Sequence, residues 1–207
     1  MIICIGREFG SGGYEIGKRL ASSFDIPCYD RELIEHVMER SSVDAGKLEK
    51  ADEKKANPWI HSVYYESENK DLRGLSANDI VFRMQSEVIV ELAKKGDCIF
   101  IGRCADEILH RAGIERLSIF VTAPFEDRVK RKSRLLNIDE KSAASLVRKS
   151  DKHRRAYYDY YAEKSWGKPH NYDICINSST LGIYRTEKML EVVLKLPSND
   201  VIWGNRS

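Results

Sequence analysis

Five short, mostly apolar runs, interleaved with stretches of helical spacing, constrain this chain more than any other feature of its sequence. Residues 1–6, a continuous apolar run, and the shorter runs at 26–29, 98–101, 117–121 and 172–177 are too short for buried helices. Runs of this kind suit strands buried on both faces. Between them the spacing changes. Ile16, Leu20 and Phe24 recur every four residues, which places them on one helix face. Val81, Met84, Val88, Ile89 and Leu92 mark a helix over 80–95, with Asp79 in its first turn and Gly96 ending it. Basic helices are expected over 125–134 and 140–161, and an amphipathic one over 185–196. Strands alternating with helices pair in parallel through right-handed crossovers. The expected fold class is therefore α/β: a three-layer α/β/α sandwich around a five-stranded parallel sheet.

The whole of 1–207 reads as a single domain. A polar stretch from Glu32 to Gly74 contains the run Glu49-Lys50-Ala51-Asp52-Glu53-Lys54-Lys55, read as helices joined by a mobile connection. Charge is nearly balanced, 34 Lys and Arg against 32 Asp and Glu, for a net +2. That balance excludes a mainly disordered chain and offers little attraction to nucleic acid. No apolar stretch reaches the roughly 18 residues needed to span a membrane, and the start lacks the pattern of a secretory signal. A cytoplasmic location is expected. Five cysteines without a Cys-x-x-Cys pair read as reduced thiols. The five histidines lack ligand-like spacing, so no metal is assigned to histidine. The last helix, with Val201-Ile202-Trp203, can cover the sheet or a second copy of the chain; a homodimer stays open.

In parallel sheets of this type ligands bind beyond the carboxyl ends of the strands. Three such ends carry suitable chemistry: a glycine-rich turn after the first, Asp30-Arg31 after the second, and Gly102-Arg103 after the third. Backbone amides in a tight glycine loop, together with a helix N-terminus, make a concave anion site. Two registers compete for a phosphate loop. Gly12-x-x-x-x-Gly17-Lys18-Arg19 fits the Walker pattern except at its last position, but it starts well after the strand and would unwind the Ile16 end of the helix stripe. The other register places Arg7-Glu8-Phe9-Gly10-Ser11-Gly12 directly after the strand and starts the helix at Gly13. The second is preferred because a phosphate loop follows its strand at once. It leaves Gly13 where the phosphate-binding lysine would stand and Tyr14 where a magnesium-binding hydroxyl would stand.

These segments resemble the cytidylate kinase-like family, a branch of the P-loop nucleoside monophosphate kinases, over nearly the whole chain. The resemblance rests on 5–20, Tyr29-Asp30-Arg31, Ile101-Gly102-Arg103-Cys104-Ala105-Asp106 and the aromatic-basic stretch around Asp151. The Asp-Gly-Arg-Asp turn of cytidylate kinases is matched at Gly102 and Arg103, with Ile101 and Cys104 replacing its aspartates. Their Ala-Ser-x-Glu-x-Arg-x-x-Arg-Arg segment is matched over 123–132, and their lid Asp-x-x-Arg by Asp151 and Arg154.

The resemblance implies a phosphotransferase moving the terminal phosphoryl of ATP, with Mg2+, to a nucleoside monophosphate, CMP first. Such chemistry needs positive charge and hydrogen-bond donors around the transferring oxygens. Gly10, Ser11, Gly12 and Gly13 would cradle the donor phosphates through their amides. Lys18, reaching back from the helix, or Arg7 would replace the missing lysine. Arg103 and Arg31 would hold the acceptor phosphate. Arg131, Arg154 and Arg155 would close from a lid over 128–170, and 31–95 would be the acceptor-binding insertion. Asp151 would orient the acceptor sugar or an arginine, and Asp30 would bind acceptor or metal. Arg128 reads as structural, and Tyr157, Tyr158, Tyr160, Tyr161 and Trp166 read as packing. The absent lysine keeps a second reading open, a nucleotide-binding regulatory module without turnover. Binding of nucleic acid through the basic lid is a third, disfavoured by the acidic residues interleaved there.

Overall fold

The computed structural model describes residues 1–34 and 77–196. Its strands are β1 (Ile2–Arg7), β2 (Cys28–Tyr29), β3 (Cys98–Ile101), β4 (Leu117–Thr122) and β5 (Ile174–Asn177). They form one sheet in the order β2-β3-β1-β4-β5, with every pair parallel. The helices are α1 (Gly13–Phe24), α2 (Ala77–Lys94), α3 (Ala105–Arg111), α4 (Phe125–Leu136), α5 (Glu140–Ala162) and α6 (Ser178–Lys195). The expected α/β sandwich with five parallel strands is what the chain forms. The polar run 49–55 and most of the expected acceptor insertion lie outside the described residues.

Alternation along the strands builds the three layers. Ile3, Ile5, Ile99, Ile101, Ile119 and Val121 point to one face, where they meet Ile16 and Leu20 of α1 and Leu190 of α6. Cys4, Phe100 and Phe120 point to the other, against α2, α3 and α5. The period of two within each strand thus serves two cores. Gly17 lets α1 ride close to the sheet: a Cβ there would lie 2.9 Å from Ile101 Cδ1.

Aromatic residues fasten the second half of α5. Tyr161 stacks on Phe82 of α2 at 3.9 Å between ring centroids. Tyr158 is buried and donates to Asp106 Oδ2 at 2.6 Å. Trp166 packs edge-on against Phe120 at 5.3 Å. These side chains pack, as expected of them. The first half of α5 joins α4 through a small separate cluster of Val129, Ala143 and Val147.

Two elements depart from expectation. The short α3 has only seven residues, too few for periodicity to announce it. The last helix begins at Ser178 rather than 185, capped by Asn177 Oδ1 accepting from Ser179 N at 3.0 Å, and breaks at Gly182 (φ 73°, ψ 162°).

Candidate phosphate-binding site

β1 runs to Arg7, the turn occupies Glu8 to Gly12, and α1 starts at Gly13. This is the second register, with the loop directly after its strand. Gly10 (φ 89°) and Gly12 (φ 84°) take left-handed backbone that glycine alone adopts at little cost. Crowding reinforces the choice, since a Cβ on Gly10 would fall 2.9 Å from the Arg128 carbonyl oxygen.

The loop is braced from below. The Ser11 amide and hydroxyl both donate to the Glu8 carbonyl, at 3.3 and 2.9 Å. The buried Ser178 hydroxyl donates to the Ser11 carbonyl at 2.5 Å. Glu8 Oε2 accepts from Thr122 Oγ1 at 2.5 Å and from the Ala123 amide at 3.1 Å. Asp151 accepts from the Phe9 amide at 2.7 Å and from Arg128 Nη1 at 2.5 Å. Arg128, only 6% exposed, also donates to the carbonyls of Ala123 at 2.9 Å and Phe9 at 3.2 Å. Arg128 is therefore the structural arginine it was read to be. Asp151 orients an arginine and the loop itself.

With Ser11 turned to Glu8, the amides of Gly10, Gly12, Gly13 and Tyr14 find no acceptor among the described residues. Gly12 caps α1 without a side-chain bond, so the first helical amides and the positive end of the helix dipole face outward together. That is the geometry of an anion cradle.

Cations gather around it. Arg154 donates to the Arg7 carbonyl at 3.0 Å and lies 5.3 Å from the centre of the Phe9 ring. Lys132, which the sequence reading passed over, sits above the same ring at 4.3 Å. Burial, then Arg131 and Arg154, lower its pKa. Arg131 Nη2 donates to Glu15 Oε2 at 2.8 Å, and its Cζ is 4.0 Å from where a Gly12 Cβ would be. Arg103, in left-handed backbone (φ 61°) at the end of β3, lies over the Tyr157 ring at 5.9 Å. Arg31, which opens a helical stretch just after β2, brings its charge within electrostatic reach of the same Tyr157 hydroxyl. Burial first, then Arg154 and Arg103, push the Arg7 pKa down to about 9.

Other expected participants sit elsewhere. Lys18 does not reach back to the loop: its Nζ lies 3.3 Å from Asp30 Oδ2. Asp30 also accepts from Tyr14 OH at 3.1 Å and the Leu33 amide at 3.1 Å. Partial burial raises the Asp30 pKa, but these bonds outweigh it and hold the carboxyl below its ordinary value. Arg155 follows Arg154 by about 100° around the helix and stacks over Trp166 at 5.8 Å, apart from the cluster. Among the described residues no three His, Cys, Asp or Glu side chains converge as a metal site, and no helix is long and apolar enough to cross a membrane.

The profile of the cytidylate kinase-like family matches residues 2–180. The chain belongs to that family. No curated protein matches it. Among solved structures, an uncharacterized protein from Eubacterium ventriosum is similar at 28% identity, covering 95% of this chain and 99% of that one, with a TM-score of 0.72. Shikimate kinase from Bacteroides thetaiotaomicron covers 95% and 99% at 15% identity, with a TM-score of 0.53. The second likeness shows that this cytidylate kinase-like chain shares the fold of P-loop kinases.

Proposed function

We propose that this cytidylate kinase-like protein is a phosphotransferase that moves the terminal phosphoryl of ATP to a nucleoside monophosphate, with CMP the first candidate. The observation that carries the reading is the amides of Gly10, Gly12 and Gly13, unpaired among the described residues, lying beside a cluster of arginines. Phosphates are the chemical group that satisfies both at once.

In the reaction, an oxygen of the acceptor attacks the terminal phosphorus as the bond to the bridging oxygen breaks, leaving ADP. Little covalent chemistry is asked of the protein. The loop amides would hold the donor phosphates in line. Arg154 and Arg131, from the helices above the loop, would neutralise charge on the transferring group. Arg103 and Arg31, beyond β3 and β2, would face the acceptor. Magnesium would enter with the nucleotide, held mainly by phosphate oxygens and water. Closure of α4 and the start of α5 over the loop would exclude water.

Coupled detection of ADP from Mg·ATP tests the proposal against CMP, other nucleoside monophosphates and small hydroxylated acids such as shikimate. The expected result is turnover with CMP or a close relative. Turnover with only a non-nucleotide acceptor would keep the phosphotransferase and discard the nucleotide. Tight ATP binding with no transfer to any acceptor would favour a nucleotide-sensing module instead, a reading motivated by Gly13 at the lysine position.

A further inference from the structure

The first helical residue of a phosphate loop ordinarily presents a lysine, and here it cannot. A Cβ on Gly13 would fall 2.6 Å from Arg7 Cβ, 3.2 Å from Arg7 Cγ and 3.1 Å from Val121 Cβ. The space that a side chain at position 13 needs is already filled, chiefly by Arg7. The arginine then runs along the carboxyl edge of the sheet to the end of β3. There a Cβ on Gly102 would land on its guanidinium. Arg7 is thus threaded between two glycines, one against its stem and one against its head.

What the head meets there is unusual for an arginine. Its Nε is shut off from solvent without a hydrogen-bond partner, and the guanidinium makes no ion pair among the described residues. The like charges of Arg154 and Arg103 act against it, and Asp30 in its favour. A guanidinium in such surroundings is costly unless an anion completes it. Its carbonyl, meanwhile, is held by Arg154 at 3.0 Å, so the strand end is fixed.

We propose that Arg7 supplies the charge that a phosphate-loop lysine would bring, reaching the donor phosphates from the end of the strand instead of the start of the helix. The inference rests on the reading of the loop as a triphosphate site. Relocation accounts for Gly13, and for Gly102 alongside its left-handed backbone (φ 76°), since the arginine passes both. It also changes the chemistry. A lysine offers a mobile point charge, whereas the planar guanidinium offers a fixed fork that can bridge two phosphate oxygens.

Calorimetric titration of Mg·ATP into four forms of the full chain tests this: wild type, Arg7→Ala, Gly13→Lys, and the double variant Arg7→Gly with Gly13→Lys. Arg7→Ala should weaken binding about 10- to 100-fold, the range for losing charge-assisted hydrogen bonds. Gly13→Lys alone should bind no better than Arg7→Ala, because its side chain and Arg7 claim one space. The double variant, with the charge moved to the helix and the arginine stem removed, should recover at least about 10-fold of the loss. A wild-type chain that binds no ATP would overturn the site reading and this inference with it. Wild-type binding that survives Arg7→Ala undiminished would overturn the inference alone. So would a double variant that is folded by circular dichroism yet binds as weakly as Arg7→Ala.

Discussion

Arg7 holds its charge at a cost to the fold. Burial is the largest cause of its lowered pKa, followed by Arg154 and Arg103. The unfolded chain keeps the proton more readily than the folded one, so Arg7 subtracts stability throughout the neutral range. That subtraction fades only as pH rises through about 9. Arg7→Met should therefore raise the stability of the ligand-free protein at pH 7, by about 1 kcal/mol, while weakening ATP binding. Urea unfolding should show the gain at pH 7 and less of it above pH 9. Asp151, by contrast, adds stability, because its carboxylate accepts from both Arg128 and the Phe9 amide. Asp151→Ala leaves the Phe9 amide without its acceptor and the buried Arg128 with Glu8, at 3.4 Å, as its remaining carboxylate partner, and should cost about 2–3 kcal/mol in the same assay. Asp151→Asn, which can still accept from Phe9, should cost less.

At the scale of elements, β1, its glycine turn and α1 act as one unit; α6 packs on it through Leu190, accepts a hydrogen bond from Ser23 at Glu187 Oε1 (3.0 Å), and braces the loop with the Ser178 hydroxyl. Ser178 Oγ donates to the Ser11 carbonyl at 2.5 Å and lies 3.2 Å from the Thr122 carbonyl. Ser178→Ala should lower stability by about 1–2 kcal/mol, since it leaves a buried carbonyl unsatisfied, and should soften the loop enough to reduce ATP affinity. Paired unfolding and titration measurements would check both effects. This unit is legible in sequence because apolar continuity, left-handed glycines and the Ile16/Leu20 stripe all depend on local chemistry. Lys18 shows where legibility stops. Its place on α1 is readable, but its choice of Asp30 over the loop depends on how β2 sits beside α1 in three dimensions. Arg7 is a middle case: its position after the strand is visible, yet only the contacts at Gly13 and Gly102 reveal the path of its side chain. The brace formed by Glu8 with Thr122 and Ala123 spans more than a hundred positions, and spacing could not have shown it.

For the whole molecule, a net charge of +2 conceals a local excess of cations at one sheet edge. That arrangement suits a small polyanion, because distant acidic residues offset long-range attraction while the cradle stays positive. The helices above the cradle are secured unevenly. The small cluster of Val129, Ala143 and Val147 joins α4 to the start of α5, whereas Tyr158, Tyr161 and Trp166 tie the end of α5 to the body. Closure on nucleotide should therefore involve the first of these regions. Amide hydrogen exchange should slow over 125–150 when Mg·ATP binds and change little over 155–166. Equal slowing across both would mean that the entire basic segment moves as one lid. The most direct measurement is a crystal structure with Mg2+ and a non-hydrolysable ATP analogue. The β- and γ-phosphates are expected against the amides of Gly10, Gly12 and Gly13, with the Arg7 guanidinium bonded to their oxygens. An analogue seated elsewhere, with the loop amides and Arg7 bound only to water, would rule this site out.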